Sequence, residues 1–173
     1  MNIFAVDADP KVAAQDLVDS HVVKMILESA QLLSTAHRVL DGVPYFVGKT
    51  KKWKLPDDRD SVLYSATHVN HPSAVWVRQC TGNYKWLVLH YRALLAEYTN
   101  RYGKHHKCEA LIVPLSTYPD NLPIGDRQPF AIAMDKMYII SEDAVENYRN
   151  YYRNGKTHLH KWTKRNPPTW VNQ

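Results

Sequence analysis

A long helical pattern of apolar residues near the start of the chain constrains the fold most strongly. Asp9-Pro10 has the form of an N-cap followed by proline at the first helical position, and helical periodicity continues to about Leu40, with a break expected near Asp19-Ser20. Asp41-Gly42 then ends the pattern. Apolar residues occupy most of the circumference of this principal helix, namely Val22, Val23, Met25, Ile26, Leu27, Ala30, Leu33 and Ala36. We therefore expect most of this helix to be buried.

The rest of the chain predicts shorter helices joined by long irregular connections. The expected helices are one from His71 to Cys80, a second that follows a turn or kink at Thr81-Gly82-Asn83 and ends at Gly103, a short one within Lys104 to Leu111, and one capped by Ser141 that ends at Asn154-Gly155. Residues 43 to 70, which include a lysine cluster, are expected to be an irregular exposed connection, and the proline-rich segment from Pro114 to Pro129 to wrap over the helices. The sequence thus predicts an all-α, compact helical bundle with long irregular connections, a single domain over residues 1 to 173, and a basic aromatic tail packed on it at residues 147 to 173.

Length and composition favour a soluble intracellular protein. With 173 residues and 45% hydrophobic content, the chain has the size of one domain with one core. No apolar run approaches the roughly 18 to 20 residues of a membrane span, and the segment Met1 to Asp9 lacks the basic and apolar regions of a secretory signal. Cys80 and Cys108 form no disulfide-scaffold pattern, which fits a reducing compartment. We expect a cytoplasmic monomer without membrane contact, in the host-cell cytoplasm if the chain is phage-encoded.

The C-terminal segment concentrates the positive charge. All 17 acidic residues lie at or before Glu146, so residues 147 to 173 carry six cations and no acid. The candidate nucleic-acid contacts in this tail are Tyr148, Arg149, Tyr151, Tyr152, Arg153, Lys156, Trp162, Lys164, Arg165 and Trp170. Cations interleaved with aromatic rings suit phosphate contact and base stacking. Alternatively, the rings dock the tail on the helices while the cations stay solvated, and both interpretations can hold together.

A polar stripe interrupts the apolar principal helix. His21, Lys24, Glu28, Gln31 and Thr35 are spaced by three and four residues, which places them on one side. This side is either an ordinary solvated face or a site that combines acid, base and phosphate-binding groups. In the second case we expect Glu28 to lie in a concave pocket near the N-terminus, within reach of His21 or His71.

A second polar group opens the middle helix. Asn70 and His71 lie there with Arg78 about two turns later, and all three are candidate substrate contacts. His68 and His71 are three residues apart, but no cysteine or acidic cluster completes a zinc pattern, so no metal and no cofactor are expected. The phosphate loop, dinucleotide, zinc-protease and serine-hydrolase motifs are also missing, which disfavours those enzyme classes.

Several of these segments occur in the order found in a known family. The chain resembles the phage pyrimidine-dimer DNA glycosylases of the endonuclease V type and related uncharacterised phage and bacterial proteins. The resemblance rests on an N-terminal Met-Asn-Ile, the helix from His21 to Glu28, the middle segment from Asn70-His71 through Glu97 to Arg101-Tyr102-Gly103, Pro168-Thr169-Trp170, and the aromatic-basic stretch Tyr148 to Lys156.

This resemblance implies an enzyme that flips a nucleotide out of double-stranded DNA and cleaves its glycosidic bond. In the family the N-terminal α-amine attacks the sugar C1′ and a helix glutamate assists, which here implies Met1 or Asn2, Glu28 and the preceding His21. An α-amine ordinarily has a pKa of about 7.7 to 8, so a fraction of it is unprotonated and nucleophilic at neutral pH.

The chain also departs from the family pattern. The family exposes the amine of a threonine after removal of methionine, whereas Asn2 is too large for routine removal of Met1. The phosphate-binding arginines of the family correspond to Leu27 and Gln31. Lyase activity and dimer specificity are therefore open, and water activated by Glu28 is an alternative nucleophile. Two competing functions remain. One is a non-catalytic nucleic-acid-binding or host-interaction protein, and the other is an enzyme that acts on a nucleoside or small nucleotide, with His21, Lys24 and His71 around a phosphate.

Overall fold

The structure is a computed structural model that describes residues 1–172. Two long helices form the centre of the molecule. Helix α2 (Asp19–Asp41) packs along α5 (Thr81–Tyr102), and the shorter α1 (Pro10–Asp16) lies against α5 as well. The other helices are α3 (Arg59–Val62), α4 (Pro72–Val77), α6 (Ile112–Ser116) and α7 (Ala144–Gly155), with 3₁₀ turns at Lys107–Leu111, Lys136–Tyr138, Thr157–Leu159 and Thr169–Asn172. The predicted mainly helical single domain is confirmed.

The principal helix is divided where the sequence placed a break. Asp9 caps α1 by accepting hydrogen bonds from the main-chain nitrogens of Lys11 and Val12, and proline occupies the first helical position. Leu17 and Val18 are extended and separate α1 from α2. All eight apolar positions expected in the core of the principal helix belong to α2. Six of them are buried, namely Val22, Met25, Ile26, Ala30, Leu33 and Ala36. Val23, by contrast, is 40% exposed.

Most boundaries of the middle helices follow local chemistry that the sequence makes visible. The expected turn at Thr81-Gly82-Asn83 is wrong, because these residues form the first turn of α5. His71 caps α4, and its Nδ1 accepts a hydrogen bond from Ser73 N at 3.2 Å. Helix α5 ends at Gly103, whose φ of 64° lies in the left-handed region that glycine adopts without cost. The cap of α7 was predicted two residues too early, because Asp143 accepts the hydrogen bond from Val145 N, while Ser141 supports Asp143 from outside the helix.

A β-hairpin corrects the prediction of an irregular connection after α2. Strand β1 (Val43–Val47) pairs antiparallel with β2 (Thr50–Lys54), and Gly48 with a φ of 60° makes the turn. The strands contain valine, threonine and aromatic residues, which favour extended backbone, but Pro44 and the lysines obscured the pattern. The predicted exposure of this segment is confirmed.

The segment between α6 and α7 wraps over the helices as expected. Trp76 Nε1 donates a hydrogen bond to Pro129 O at 2.8 Å, and Phe130 packs between Trp76 and Trp86. The core is continuous and includes Leu17, Ile26, Leu33, Leu87, Leu94, Leu115, Tyr148 and Tyr152. Among the helices of residues 1–172, none is long and apolar enough to cross a membrane.

Candidate active site

Glu28 lies where the first residues of the chain cross α2. The main-chain N–H of Asn2 donates a hydrogen bond to Glu28 Oε2 at 2.8 Å, and the α-amino nitrogen of Met1 is 3.8 Å from the same oxygen. The other carboxylate oxygen, Oε1, is 3.5 Å from the ammonium nitrogen of Lys24, one turn earlier on α2. Only 8% of Glu28 is exposed. The carboxylate is therefore held between one lysine and the two nitrogens at the start of the chain.

The N-terminal segment covers most of the polar stripe of α2. Residues 2 to 6 are all buried, and Asn2 and Phe4 contact Glu28 and His21 respectively. Within the stripe, Lys24 alone is exposed. An ordinary solvated face is therefore excluded for this side of the helix. The predicted neighbourhood of Glu28 and the N-terminus is what the structure shows.

The accessible part of Met1 is its main chain. The side chain is 2% exposed, whereas the residue as a whole is half-buried. The methionine side chain therefore lies inside the protein, while main-chain atoms of Met1 are exposed beside Glu28.

Asn2 fixes the path of the first residues through its side chain. Its Oδ1 accepts hydrogen bonds from Ile3 N at 2.7 Å and Phe4 N at 3.0 Å. Its Nδ2 donates to Ala133 O at 2.7 Å, in the segment that precedes α7. The side chain of Asn2 therefore locks its own main-chain nitrogen next to Glu28, a role that the sequence gave no reason to expect.

An aromatic cluster anchors the same segment and takes His21 out of reach of substrate. Phe4, at a left-handed φ of 51°, stacks on His21 with 4.2 Å between ring centroids and also packs against Tyr152. The hydroxyl of Tyr152 is hydrogen-bonded to His21 Nδ1 at 2.5 Å. Burial, with smaller effects of Lys156, Lys24 and His158, lowers the pKa of His21 to about 4, so it is neutral at pH 7. His21 supports the N-terminal segment from below, which corrects its prediction as a catalytic group.

His71 lies on the open side of the same neighbourhood. Burial lowers the pKa of His71, the positive charges of the amino terminus and of His68 lower it further, and the negative charge of Glu28 opposes them. His71 is therefore within electrostatic reach of both groups. Because its Nδ1 accepts the hydrogen bond that caps α4, the proton of the neutral ring is assigned to Nε2. That N–H is the group His71 can offer to a phosphate or sugar oxygen.

The other predicted contacts divide into two groups. Lys24 and Asn70 are exposed and Gln31 is half-buried, so all three have polar atoms that a ligand can reach. Arg78 is different, because it donates hydrogen bonds to Val69 O and Ala74 O and so braces the loop before α4. The structure therefore gives Arg78 a structural role in place of the predicted substrate contact. Within residues 1–172, no group of three or more His, Cys, Asp or Glu residues is arranged to hold a metal ion.

The residues around Glu28 lie in a region that is shared with known proteins. The profile of the pyrimidine dimer DNA glycosylase family matches residues 1–110. The chain belongs to this family. No curated protein and no solved structure matches the chain. Glu28, Asn2 and His71 all fall within the part of this glycosylase-family chain that the profile covers, whereas α7 and the tail lie beyond it.

The aromatic residues of the tail dock it on the helices of the glycosylase-family chain. Tyr148 and Tyr152 are completely buried, and Trp170 is 5% exposed. The indole nitrogens of Trp162 and Trp170 donate to Asp16, to its main-chain oxygen at 2.9 Å and its carboxylate at 2.7 Å. The rings of Tyr148, Tyr152 and Trp170 are therefore buried in the protein, which corrects their prediction as DNA contacts. Trp162 is half-buried and stays a predicted contact.

Most cations of the tail are also bound within the molecule. Arg149 donates to Val6 O at 2.7 Å and to the Asp7 carboxylate at 2.8 Å. Other cations bind main-chain oxygens, a carboxylate or a ring: Arg153 to Trp170 O, Lys164 to Asn100 O, Arg165 to Glu97, and Lys156 over the half-buried ring of Tyr151. These contacts hold the tail against the rest of the protein. Its net positive charge is partly neutralised by Asp7, Asp16 and Glu97.

Proposed function

We propose that this chain excises a damaged or modified base from double-stranded DNA, with Glu28 as the catalytic carboxylate and the amino-terminal amine as the nucleophile. The observation that supports this most directly is the contact of Glu28 with the main-chain nitrogen of Asn2 at 2.8 Å and with the α-amine of Met1 at 3.8 Å. Membership of the pyrimidine dimer DNA glycosylase family supports the reaction class and the DNA substrate.

The proposed reaction replaces the bond from sugar to base by a bond from sugar to protein. The amine nitrogen attacks C1′, the C1′–N bond breaks, and the base leaves with its electron pair and takes up a proton. Loss of the second amine proton and opening of the sugar ring then give an imine, which water hydrolyses. Glu28 assists by accepting a proton from the amine and returning one to the sugar ring oxygen, and by stabilising the positive charge that develops at C1′.

Both possible amines are compatible with this arrangement. If Met1 is retained, its amine lies 3.8 Å from Glu28. If Met1 is removed, the nitrogen of Asn2 becomes the amine, and it already lies 2.8 Å from the same oxygen. The side chain of Asn2 holds this position in either form.

Substrate binding is assigned to the exposed groups around the amine. Lys24 and the Nε2–H of His71 bind phosphate or sugar oxygens of the flipped nucleotide, and Gln31 and Asn70 contribute further hydrogen bonds. The two arginines of the family are replaced here by Leu27 and Gln31, so we expect weaker phosphate contact next to Glu28 than in the family pattern. A duplex therefore needs additional contacts elsewhere on the surface of the protein.

The test is base release from a panel of duplexes that each carry one lesion or modified base, pyrimidine dimers included. We expect the wild type to release the base from at least one duplex and Glu28→Gln to do so at least about 100-fold more slowly, the scale of a lost acid–base group. Borohydride reduction of the reaction should link protein to DNA, and mass spectrometry of the adduct identifies Met1 or Asn2 as the attached residue.

The control is Glu142→Gln, which changes an exposed glutamate in the same way. It should match the wild type in base release and in adduct yield. Base release without any adduct would replace the amine by water as the nucleophile. Tight DNA binding with no base release from any duplex would contradict the enzymatic proposal and favour a non-catalytic DNA-binding protein.

A further inference from the structure

The hairpin β1–β2 exposes much of its apolar and aromatic side chains. Phe46 is 68% exposed, Val43 67%, Val47 54% and Tyr45 45%. Both strands are exposed along their length, and only Trp53 is half-buried. An isolated two-stranded hairpin is marginally stable in water, and clustered exposed apolar residues on a protein indicate an interaction surface.

The hairpin is nevertheless fixed firmly at its base. Arg38 of α2 donates a hydrogen bond to Trp53 O at 3.1 Å, and Leu55 N donates to the Asp60 carboxylate at 2.8 Å. Gly42 lies so close to Trp53 and to Arg38 O that a Cβ there would meet both, which holds the first strand against the end of α2. The free end is the turn at Gly48. The hairpin β1–β2, which is also called the ribbon below, is thus attached to the rest of the protein at the end opposite this turn.

The charge of the ribbon has a single sign. Residues 42 to 56 contain Lys49, Lys51, Lys52 and Lys54 and no acidic residue. Lys51 is paired across the ladder with Phe46, and Lys52 with Tyr45, so each exposed aromatic residue has a lysine as its cross-strand partner. The ammonium group of Lys51 lies over the ring of Trp53, 5.2 Å from its centroid. Cations beside exposed rings complement a nucleic acid, whose phosphates are anionic and whose bases offer flat apolar faces.

The ribbon also leaves α2 on nearly the same side as Glu28. Gly42 follows Glu28 by fourteen residues, which in an α-helix is about 21 Å along the axis and only about 40° around it. Thr35 lies between them on that side, and its hydroxyl is hydrogen-bonded to the main chain of Thr67 in the loop that leads to His71. The base of the hairpin is thus about 21 Å from Glu28 along α2, which at 3.4 Å per base pair corresponds to about six base pairs.

We propose that this hairpin is a second DNA-contact element, which binds the duplex about six base pairs from the nucleotide that reacts beside Glu28. Its lysines contact phosphates, and Phe46 makes apolar contact inside a groove, because a two-stranded ribbon fits the major groove and apolar side chains can wedge between base steps. The inference rests on the proposed action on DNA, and it supplies the contacts that the missing arginines near Glu28 make necessary.

The first test measures affinity for an undamaged duplex as a function of salt concentration. Replacing Lys49, Lys51 and Lys52 together by alanine should lower the slope of log affinity against log salt by roughly 2 to 3, since each lost phosphate contact removes about 0.9. Phe46→Ala should weaken binding about fivefold to a hundredfold with little change in slope. The matched control replaces Lys11, Lys85 and Lys104, three exposed lysines outside the hairpin, and should leave the slope close to that of the wild type.

A second test locates the contact. Duplexes with one lesion are shortened from either end until fewer than about six base pairs remain on one side. On one of the two sides, shortening should reduce wild-type affinity to that of the triple-alanine variant, while the variant itself is unaffected. Equal affinities of wild type and variant on the long duplex would overturn the inference, and so would an equal response of both to shortening.

These outcomes are separable from failure of the proposed function. Binding to undamaged duplex requires no base release, so the salt slope tests the hairpin even if no duplex is cleaved. Conversely, Glu28→Gln leaves the hairpin unchanged, so it should keep the wild-type salt slope whether or not the wild type releases a base. If the hairpin variants bind DNA normally but lose binding to vesicles that contain anionic lipid, the ribbon faces a membrane and the inference is overturned.

Discussion

At the scale of single residues, Asn2 does more than its position at the start of the chain suggests. Its side chain accepts two main-chain hydrogen bonds and donates one to Ala133, and it lies on the covered side of α2. These contacts fix the conformation of the first residues of the chain. The hydrogen bond to Ala133 is a tether between the first residues of the chain and the segment that precedes α7.

We predict that Asn2→Ala destabilises the protein by about 1 to 3 kcal/mol, since two buried N–H groups lose their acceptor. Base release should fall as well, because the main chain next to Glu28 is no longer held. Thermal unfolding and single-turnover kinetics measure the two effects. Asn154→Ala, which removes an exposed amide, serves as the control and should change the stability by less than about 0.5 kcal/mol. Wild-type kinetics in Asn2→Ala would show that the tether has no part in the site.

His90 illustrates a second kind of residue effect, the burial of a neutral histidine. Its Nδ1 lies 2.9 Å from Pro10 O, its Nε2 has no protein partner, and burial lowers its pKa to about 4. Between that value and about 6.5, its ordinary pKa, the unfolded chain binds a proton that the folded chain does not. The free energy of unfolding is therefore fully retained above pH 6.5, and the part that depends on neutral His90 is lost as the pH falls towards 4. Burial also lowers the pKa of His21 and of His37, so both residues make the protein less stable as the pH falls.

We predict that His90→Asn removes part of this acid sensitivity. The wild type should lose on the order of 3 kcal/mol of stability between pH 6.5 and 4 through His90 alone, since one pKa unit corresponds to about 1.4 kcal/mol. Urea unfolding at a series of pH values measures the loss, which should be smaller in the variant. His105→Asn, at an exposed site, should retain the wild-type pH dependence. Parallel pH profiles for wild type and His90→Asn would disprove the assignment.

At the scale of elements, local chemistry made most helix boundaries predictable. Asp9-Pro10, His71-Pro72 and Gly103 act within one turn of their own positions, so their effects are visible in the sequence. The hairpin was missed because its exposed strands lack the alternation of buried and solvated residues that marks a half-buried strand. Its lysines and Pro44 indicated a loop equally well. The cap of α7 was misplaced because Ser141 and Asp143 are both good capping residues.

One ion-pair network joins three elements that are far apart in sequence. Arg101 of α5, with a fully buried side chain, binds Asp19 at the start of α2, Glu97 one turn earlier, and the main-chain oxygens of Gln15 and Leu17. Burial alone would raise the pKa of Glu97, but hydrogen bonds from Arg165 and Arg101 outweigh it, so this pKa is lowered. The carboxylate is thus ionised in the folded protein and clasps the tail to α5.

We predict that Arg101→Met destabilises the protein by about 3 to 5 kcal/mol, because two buried carboxylates lose one of their partners and the main-chain oxygens of Leu17 and Gln15 lose the donor of Arg101. The free energy of unfolding in urea measures this effect. Glu109→Gln, which breaks the exposed pair with His105, is the control and should cost less than about 1 kcal/mol. Equal effects of the two substitutions would mean that the network contributes no more than a surface pair.

At the scale of the whole molecule, the site was only partly visible in the sequence. Glu28 and the amine followed from the family resemblance, and the spacing of the stripe placed Glu28 on one side of α2. The sequence did not predict that the N-terminal segment covers that side of α2. Phe4 of this segment packs against Tyr148 and Tyr152, and these contacts span more than 140 residues. The same long-range packing explains the misassigned tail. A run of aromatic and basic residues has the same composition whether its rings meet a base or the protein's own core.

The distance along the chain between Phe4 and its partners sets an order of events during synthesis. Phe4 is among the first residues to be made, but Tyr148, Tyr151 and Tyr152 follow roughly 7 to 30 s later at ordinary translation rates of about 5 to 20 residues per second. Until then nothing stacks on the outer side of the ring that rests on His21, and the oxygen of Ala133 that holds Asn2 does not exist for most of this time. A ribosome-bound chain therefore already contains Glu28 and its amine, but until most of the chain has been made it lacks Ala133 and α7, which hold Asn2 and Phe4 in place.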